Sequence, residues 1–298
     1  MKVIAVVVTY NRLELLKLTI AHLKATAGLH AIVVVNNGST DGTSDWLAEQ
    51  EGIDVVTQEN VGGSGGFYTG MKRAYDMGAD WLWCMDDDVY PEDSCLEQLM
   101  ALADDTSIGI LCPRRMRAGK VFVNECGKIN MSNPLLSMHQ QRLTPDVSAP
   151  TNIEGMVFEG PLIRRQVVEK IGLPNKDLFI FYDDTDYSLR TVMAGFRVVY
   201  VPDAIIQKKL FFTDDSWTEK QRKKKQKRLY QVRNSSYFNH RYGRNAMVRY
   251  ARAFIGMQGF LWSAILLTIT RQGYRWRDVA DIARAYRNGI NERLGKIS

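Results

Sequence analysis

The chain has 298 residues, of which 45% are apolar and 24% charged, with four cysteines and a formal net charge of +6. These values exclude a disordered, collagen-like or disulfide-scaffold protein and suit one large α/β domain or a domain with an appendage. The charge is unevenly spread: residues 1–206 hold 18 Lys and Arg against 27 Asp and Glu, a net of −9, and residues 207–298 hold 21 against 6, a net of +15. An acidic body, 1–206, is therefore joined to a basic tail, 207–298.

In chain order, Val3–Thr9 is a β-branched run that reads as a strand buried on both faces, not as a signal peptide. Leu13, Leu16, Ile20 and Leu23 then recur at helical spacing over Arg12–Ala25. Strands are expected at Ala31–Val35, Ile53–Thr57 and Trp81–Met85, with a helix at Asp41–Glu49. A glycine-rich loop at Asn60–Gly66 leads into a helix through Tyr75. This βαβαβαβ order predicts a doubly wound, mostly parallel sheet with helices on both faces, whose ligands bind beyond the carboxyl ends of the strands. Further on, a helix is expected at Ser94–Ala103 and a strand at Ile108–Leu111. A hairpin and a loop fill residues 114–150. A helix ends at Glu169–Gly172, another covers Thr185–Gly195, a strand covers Phe196–Val201, and a linker covers Asp203–Asp215. Trp217–Tyr242 and the rest of the tail read as helices. Cys84, Cys95, Cys112 and Cys126 form no C-x-x-C pair and read as reduced structural thiols of a cytosolic protein.

Four motifs carry chemistry. Asp86-Asp87-Asp88 ends the strand WLWCM. Adjacent carboxylates repel, so such a cluster suits a hard divalent ion, Mn²⁺ or Mg²⁺, with diphosphate oxygens completing its shell. A solvated acidic turn is the plainer alternative. Gly62-Gly63-Ser64-Gly65-Gly66 permits close backbone approach, so Gly63 and Gly65 are candidates for a phosphate or sugar cradle, or for a flexible connection. Asp183-Asp184-Thr185-Asp186 follows LFIFY at a helix start, where one carboxylate can cap the helix and another act as a general base. Arg190, four residues after Asp186, is expected to pair with it. Asn36-Asn37-Gly38-Ser39 closes the second strand, either as a nucleobase contact through Asn36 or as a plain turn. Thr9 and Arg12 lie on the same rim, where Arg12 can meet a diphosphate.

The pieces VVVTYNR, VVVNNGSTDGT, NVGGSGGFYTGM, CMDDDVYPED, GLPNKDLFIFYDDTDYSLR and, beyond them, RLYQVRNSSYF, in that order, resemble the family 2 glycosyltransferases with the GT-A fold. The resemblance covers roughly Val3 to Val201 and is similar to the bacterial galactofuranosyltransferase and rhamnosyltransferase branch, which builds cell-surface polysaccharides. It implies that Asp86 and Asp88 hold the metal and the nucleotide diphosphate, and that Asp87 touches the donor sugar or ribose. It also implies that Thr9, Arg12 and Asn36 line the nucleotide pocket, with Asn36 standing where the family usually has Asp. Asp184 falls at the catalytic-base position, with Asp183 beside it for acceptor hydroxyls. The implied reaction is an inverting transfer from a nucleotide sugar, UDP-galactofuranose first and dTDP-rhamnose second, to a glycan or lipid-diphosphate-linked acceptor. Two departures stand out. Lys208 sits where the galactofuranosyltransferases place a metal-binding His. Met156-Val157-Phe158-Glu159 replaces a pair of tryptophans, leaving Phe158 either as an acceptor platform or as a core residue.

The tail adds Lys220–Arg228, KQRKKKQKR, a cationic helix face suited to an anionic membrane surface or simply to water. No zinc pattern, RNP sequence or helix-turn-helix signature supports nucleic-acid binding. Phe254–Thr270 carries no charge over 17 residues and reads as a buried core helix or an interfacial helix in preference to a true span. A cytoplasmic protein peripheral to the inner face of the membrane is expected, with a non-catalytic nucleotide- or glycan-binding protein on the same scaffold as the competing class.

Overall fold

The computed structural model describes residues 1–139, 141–209 and 216–297, with side chains left undescribed at 217–219 and 221–222. The elements run β1 (Val3–Thr9), α1 (Leu13–Ala25), β2 (Leu29–Asn36), α2 (Thr43–Ala48), β3 (Ile53–Thr57), α3 (Gly62–Asp76), β4 (Trp81–Asp86), β5 (Val89–Pro91), α4 (Cys95–Met100), β6 (Ile108–Arg117), β7 (Lys120–Phe122), β8 (Gly127–Lys128), β9 (Gln141–Arg142), β10 (Thr151–Ile153), β11 (Leu162–Arg164), α5 (Arg165–Ile171), α6 (Asp183–Met193), β12 (Arg197–Lys208), α7 (Trp217–Tyr242), α8 (Ala253–Ile269) and α9 (Trp276–Ile290). They fall into two units. The first comprises Met1–Ile129, His139–Lys176 and Asp183–Phe211; the second comprises Asn130–Met138, Asp177–Tyr182 and Phe212–Ser298. The helical tail thus takes two short segments out of the acidic body.

The first unit is built on a sheet of order β10-β12-β6-β11-β4-β1-β2-β3, with β5 paired to β12 and β7 to β6. β1, β2, β3 and β4 are parallel, as their continuous apolar runs require for strands covered on both faces. One apolar layer packs Val3, Val7, Leu16, Ile20 and Trp83. The other packs Ile4, Val6, Val33, Phe67 and Tyr187. β11 enters between β4 and β6 and runs antiparallel to both.

Three expectations change. The glycine run is not a loop: α3 begins at Gly62, so Gly63, Gly65 and Gly66 lie in its first turns. Gly66 and Gly70 are needed because the helix lies against β1. A Cβ on Gly66 would come 2.4 Å from Cγ1 of Val8, and one on Gly70 would come 2.4 Å from Cγ1 of Val6. The last strand does not stop at Val201. A register shift between Val201 and Ile205 absorbs Pro202, and β12 then continues to Lys208, paired with β6 and β5. The expected linker therefore starts later, and its 210–215 portion lies outside the described residues. All four cysteines are free and buried.

In the second unit α7, α8 and α9 pack through Val232, Met257, Ala264, Tyr274, Ile282 and Ala285. A Cβ on Gly289 of α9 would lie 2.2 Å from the carbonyl oxygen of Arg233 in α7, so these two backbones nearly touch. Arg233 and Asn234 are buried among carbonyls: Asn234 Nδ2 donates to those of Leu178, Ile180 and Phe181, and Arg233 Nη2 to that of Leu178. They hold a segment in which Phe179, Phe181 and Tyr182 all adopt φ between 66° and 69°, costly for non-glycine residues unless the surroundings enforce it. α8 is not a buried core helix: the apolar stretch Met247–Ile269 is only 17% buried.

Candidate active site

Parallel pairing brings three strand ends to one edge. Thr9 lies opposite Asn36 in the β1–β2 register, and Val8 lies opposite Asp86 in the β1–β4 register. Beyond this edge the chain turns through Asp87 and Asp88 into β5. The Thr19 hydroxyl on α1 fixes that turn, lying 2.9 Å from the carbonyl oxygens of both Asp87 and Val89.

The aspartates of the cluster have different partners. Asp87 is 3% exposed and accepts hydrogen bonds from the Thr9 hydroxyl at 2.8 Å and from Arg12 Nη1 at 3.2 Å. Burial outweighs these partners and pushes its carboxyl up to about 6. Asp88 accepts from Arg12 Nη1 at 3.1 Å on one oxygen and from Lys208 Nζ at 3.2 Å on the other. Asp86 is pushed well up by burial and by the charge of Asp88, with Glu159 and Asp87 adding to this and Lys208 opposing it. For Arg12 and Lys208, burial pulls the pKa down but the neighbouring carboxylates win, so both stay cationic.

Lys208, at the end of β12, also pairs with Glu159, whose other oxygen accepts from Arg115 Nη1 at 2.8 Å. Arg115 reaches Glu125 through Nη2 at 2.9 Å. The result is a continuous chain of charges, Asp88–Lys208–Glu159–Arg115–Glu125. Burial would raise Glu159, but Arg115 and Lys208 more than offset it and hold it low. Glu125 in turn adds to the field at Asp184.

Asp183 and Asp184 open α6, as the sequence suggested. Both carboxyls are pushed up by burial. Asp184 is pushed further, with Asp183 as its second cause. The Asp184 carboxylate accepts from its neighbour's backbone N–H at 2.6 Å and from the Thr185 hydroxyl at 3.1 Å. The expected Asp186–Arg190 pair is present at 2.8 Å, and Arg190 Nη1 also donates to the Ile171 carbonyl.

Other expected residues have local duties. Asn36 is fully buried. Its Nδ2 donates to the Ser44 hydroxyl at 2.8 Å and its Oδ1 accepts from Ser39 N–H at 3.0 Å, which builds the turn. Asn37, not foreseen, joins β2 to α3 by donating to the Gly62 carbonyl and accepting from Gln58. Gly63 and Gly65 occupy the first turn of α3, where Gly65 faces the Val61 side chain and Gly63 faces open space. Phe158 is corrected from acceptor platform to core residue. It is 4% exposed, stacked on Phe67 at 4.3 Å and tilted against Tyr187 at 6.1 Å, so no ring face is left for a sugar.

Among the described residues no three His, Cys, Asp or Glu side chains converge as a metal shell. The donor set still fits a hard ion of the magnesium type, which takes one or two carboxylates and fills the remainder with phosphate oxygens and water. Asp86 lies in a surplus of negative charge, and Asp88 would share any ion with Arg12 and Lys208.

Comparison with known proteins agrees with this geometry. The description "Glycosyl transferase family 2" matches residues 4–172, more than half of the chain. Galactofuranosyltransferase GlfT1 of Mycobacterium tuberculosis is 30% identical over 211 residues, 65% of this chain and 65% of that protein, so the match spans just under two thirds of the relative. The dTDP-rhamnosyl transferase RfbF of Shigella flexneri is 25% identical over 206 residues, 67% of this chain and 66% of that one. Among solved structures, the mannosyltransferase PcManGT of Pyrobaculum calidifontis, in complex with GDP-Man and Mn²⁺, superposes with a TM-score of 0.56 at 14% identity. It covers 98% of this chain and 88% of that chain, a likeness of fold. The doubly wound, mostly parallel sheet with its helical extension is the GT-A architecture, and the chain belongs to glycosyl transferase family 2.

Proposed function

We propose that the protein is an inverting glycosyltransferase that moves galactofuranose from UDP-galactofuranose to a hydroxyl of a glycan or lipid-diphosphate-linked acceptor, at the cytoplasmic, anionic face of a membrane. The observation that carries this reading is the division of the first unit's acids. One cluster is laced with the cations Arg12 and Lys208, whereas in the other, at the start of α6, the Asp184 carboxylate accepts from the neutral N–H and hydroxyl of Thr185.

The donor diphosphate meets Arg12 and Lys208, which are already cationic and held in place by Asp87, Asp88 and Glu159. Such fixed charges stabilise the leaving diphosphate as its negative charge grows, without reorganising at that moment. Asp87 is anchored by Thr9 and contacts the donor's ribose or sugar. A divalent ion, Mn²⁺ or Mg²⁺, held by Asp86 and Asp88, would supply further positive charge on the diphosphate oxygens. Asp184 takes the proton of the acceptor hydroxyl as its oxygen attacks the anomeric carbon. The new C–O bond forms while the sugar–phosphate bond breaks and the nucleoside diphosphate departs. The raised pKa of Asp184 makes it a stronger base than an ordinary aspartate. Asp183 orients the acceptor hydroxyls.

Support for the sugar comes from the GlfT1 match; the weaker RfbF match makes dTDP-rhamnose the second donor. The test is nucleotide release from a panel of nucleotide sugars with Mn²⁺, with and without lipid-linked acceptor. Acceptor-dependent release from UDP-galactofuranose is expected. Release from dTDP-rhamnose alone moves the reading to the second donor. Tight donor binding with no release under any condition contradicts the enzymatic reading.

A further inference from the structure

α8 carries no charged residue, and its polar residues Gln258, Ser263 and Thr268 share no common face, the composition of a helix enclosed on all sides. Only one face is enclosed. Ala253, Met257 and Ala264 are buried against the other helices of the second unit, while Ile255, Trp262, Leu266 and Ile269 are 59%, 65%, 61% and 65% exposed. These four fall on one stripe, because their spacings of seven, four and three residues return to the same side of a helix. Phe254 adds a further exposed ring beside it. Contiguous apolar stripes of this kind mark interaction surfaces.

We infer that this stripe is the element by which the protein lies in the surface of an anionic phospholipid bilayer, with α8 parallel to the membrane plane. Three observations select this occupant. First, the chain that follows the stripe has the chemistry of a membrane interface. Arg271 comes directly after the Thr270 cap of α8, and Trp276, 63% exposed, stands between Arg275 and Arg277 in the sequence, all three arginines being exposed. Indole rings favour the headgroup level and guanidinium groups pair with lipid phosphates. Second, residues 207–298 carry a net of +15, which opposes pairing with a second copy and favours an anionic surface. Third, α8 cannot cross the bilayer while it remains packed in its own unit, although Met247–Ile269 is long and apolar enough. Its neighbours α7 and α9 hold Lys225 paired with Asp278 at 2.8 Å, and Arg228 donates to the Tyr274 hydroxyl at 2.8 Å. Crossing would carry those charges into hydrocarbon. Lying in the plane keeps them in water and still covers the stripe.

This inference rests on and deepens the membrane partner named in the proposed function: to the cationic face of Lys220–Arg228 it adds an apolar insertion by the outer face of α8. The test reads binding, not transfer, so its failure is separable from failure of the catalytic reading. The full chain is floated with vesicles of phosphatidylcholine, alone or with about 30% phosphatidylglycerol. The variants are Trp262→Ser/Leu266→Ser and, separately, Lys223→Glu/Lys224→Glu. All four side chains are exposed or on exposed faces, and unchanged thermal melting verifies folding. The wild type should float with the anionic vesicles, and bromine-labelled lipids should quench part of its tryptophan fluorescence. The Trp262/Leu266 variant should lose about tenfold or more in vesicle affinity and lose the Trp262 share of the quenching. The lysine variant should lose less and keep the quenching. Undiminished binding by the Trp262/Leu266 variant overturns the inference. So does a wild-type dimer that the same variant dissociates while vesicles stay unbound, which would assign the stripe to a second copy.

Discussion

The carboxyl edge of the sheet and the outer face of α8 handle awkward surface in opposite ways. At the sheet edge, charge is concentrated in a half-buried place and largely answered from within the chain: Asp87 by Thr9 and Arg12, Asp88 by Arg12 and Lys208, Glu159 by Lys208 and Arg115. On α8, apolar surface is left facing outward, and exposed arginines follow it in the chain. An internally answered cluster is preorganised, and its parts should fail severely when removed. An exposed stripe needs an outside partner, and its parts should be removable without harm to the fold.

The largest effect is expected at the start of α6. Asp184→Asn should lower turnover by about 10²–10⁴, the usual share of a general base, while donor affinity measured by calorimetry stays within about twofold. Equal loss of donor binding would merge the two acidic clusters into one functional group. Next comes the buried link between them. Arg115→Ala leaves Glu159 with Lys208 as its remaining cation and takes the guanidinium from the partly exposed Glu125, so the loss should stay below the about 3–5 kcal/mol of a fully unpaired buried charge, read as a drop in melting temperature. A shift no larger than that of a surface variant would show that water replaces the arginine. Smaller still, Lys208→Ala should weaken donor binding about 10- to 100-fold, the worth of a hydrogen bond to a charged group. It should also strengthen divalent-ion binding, because one Asp88 oxygen is released. Unchanged affinities for both would confine Lys208 to supporting Glu159.

Much of the acidic edge is legible in the sequence because it is local. An apolar run followed by Asp86-Asp87-Asp88 places carboxylates at a strand end, and the i to i+4 spacing of Asp186 and Arg190 gives their ion pair. The Asp88–Lys208–Glu159–Arg115–Glu125 chain is not legible, since Lys208 reaches Asp88 and Arg115's strand only through the pairing of β12 with β5 and β6 beyond the bulge at Pro202, and Glu159 and Glu125 join from loops. A signal was present: Lys208 in the place of a histidine indicates a fixed cation, though not its partner Glu159. The glycine run misleads because glycine serves close helix–sheet packing as well as loops, and only the Val6 and Val8 contacts distinguish them. Phe158 misleads because an aromatic near a carboxylate suits a sugar platform as well as a core. The second unit is the least legible. Its capture of Asp177–Tyr182 depends on Arg233 and Asn234, more than 50 positions away.

The central claim is that the carboxylates opening α6 do the proton work. The most direct measurement is the pH dependence of kcat/KM for wild type and Asp184→Asn under saturating metal. A base acts deprotonated, and burial raises the Asp184 pKa, so wild-type rate should fall as pH is lowered through a value well above the ordinary aspartate range near about 3.9. That acid limb should vanish from the residual activity of Asp184→Asn. A wild-type limb at the ordinary aspartate value, or the same limb persisting in the variant, would contradict the assignment.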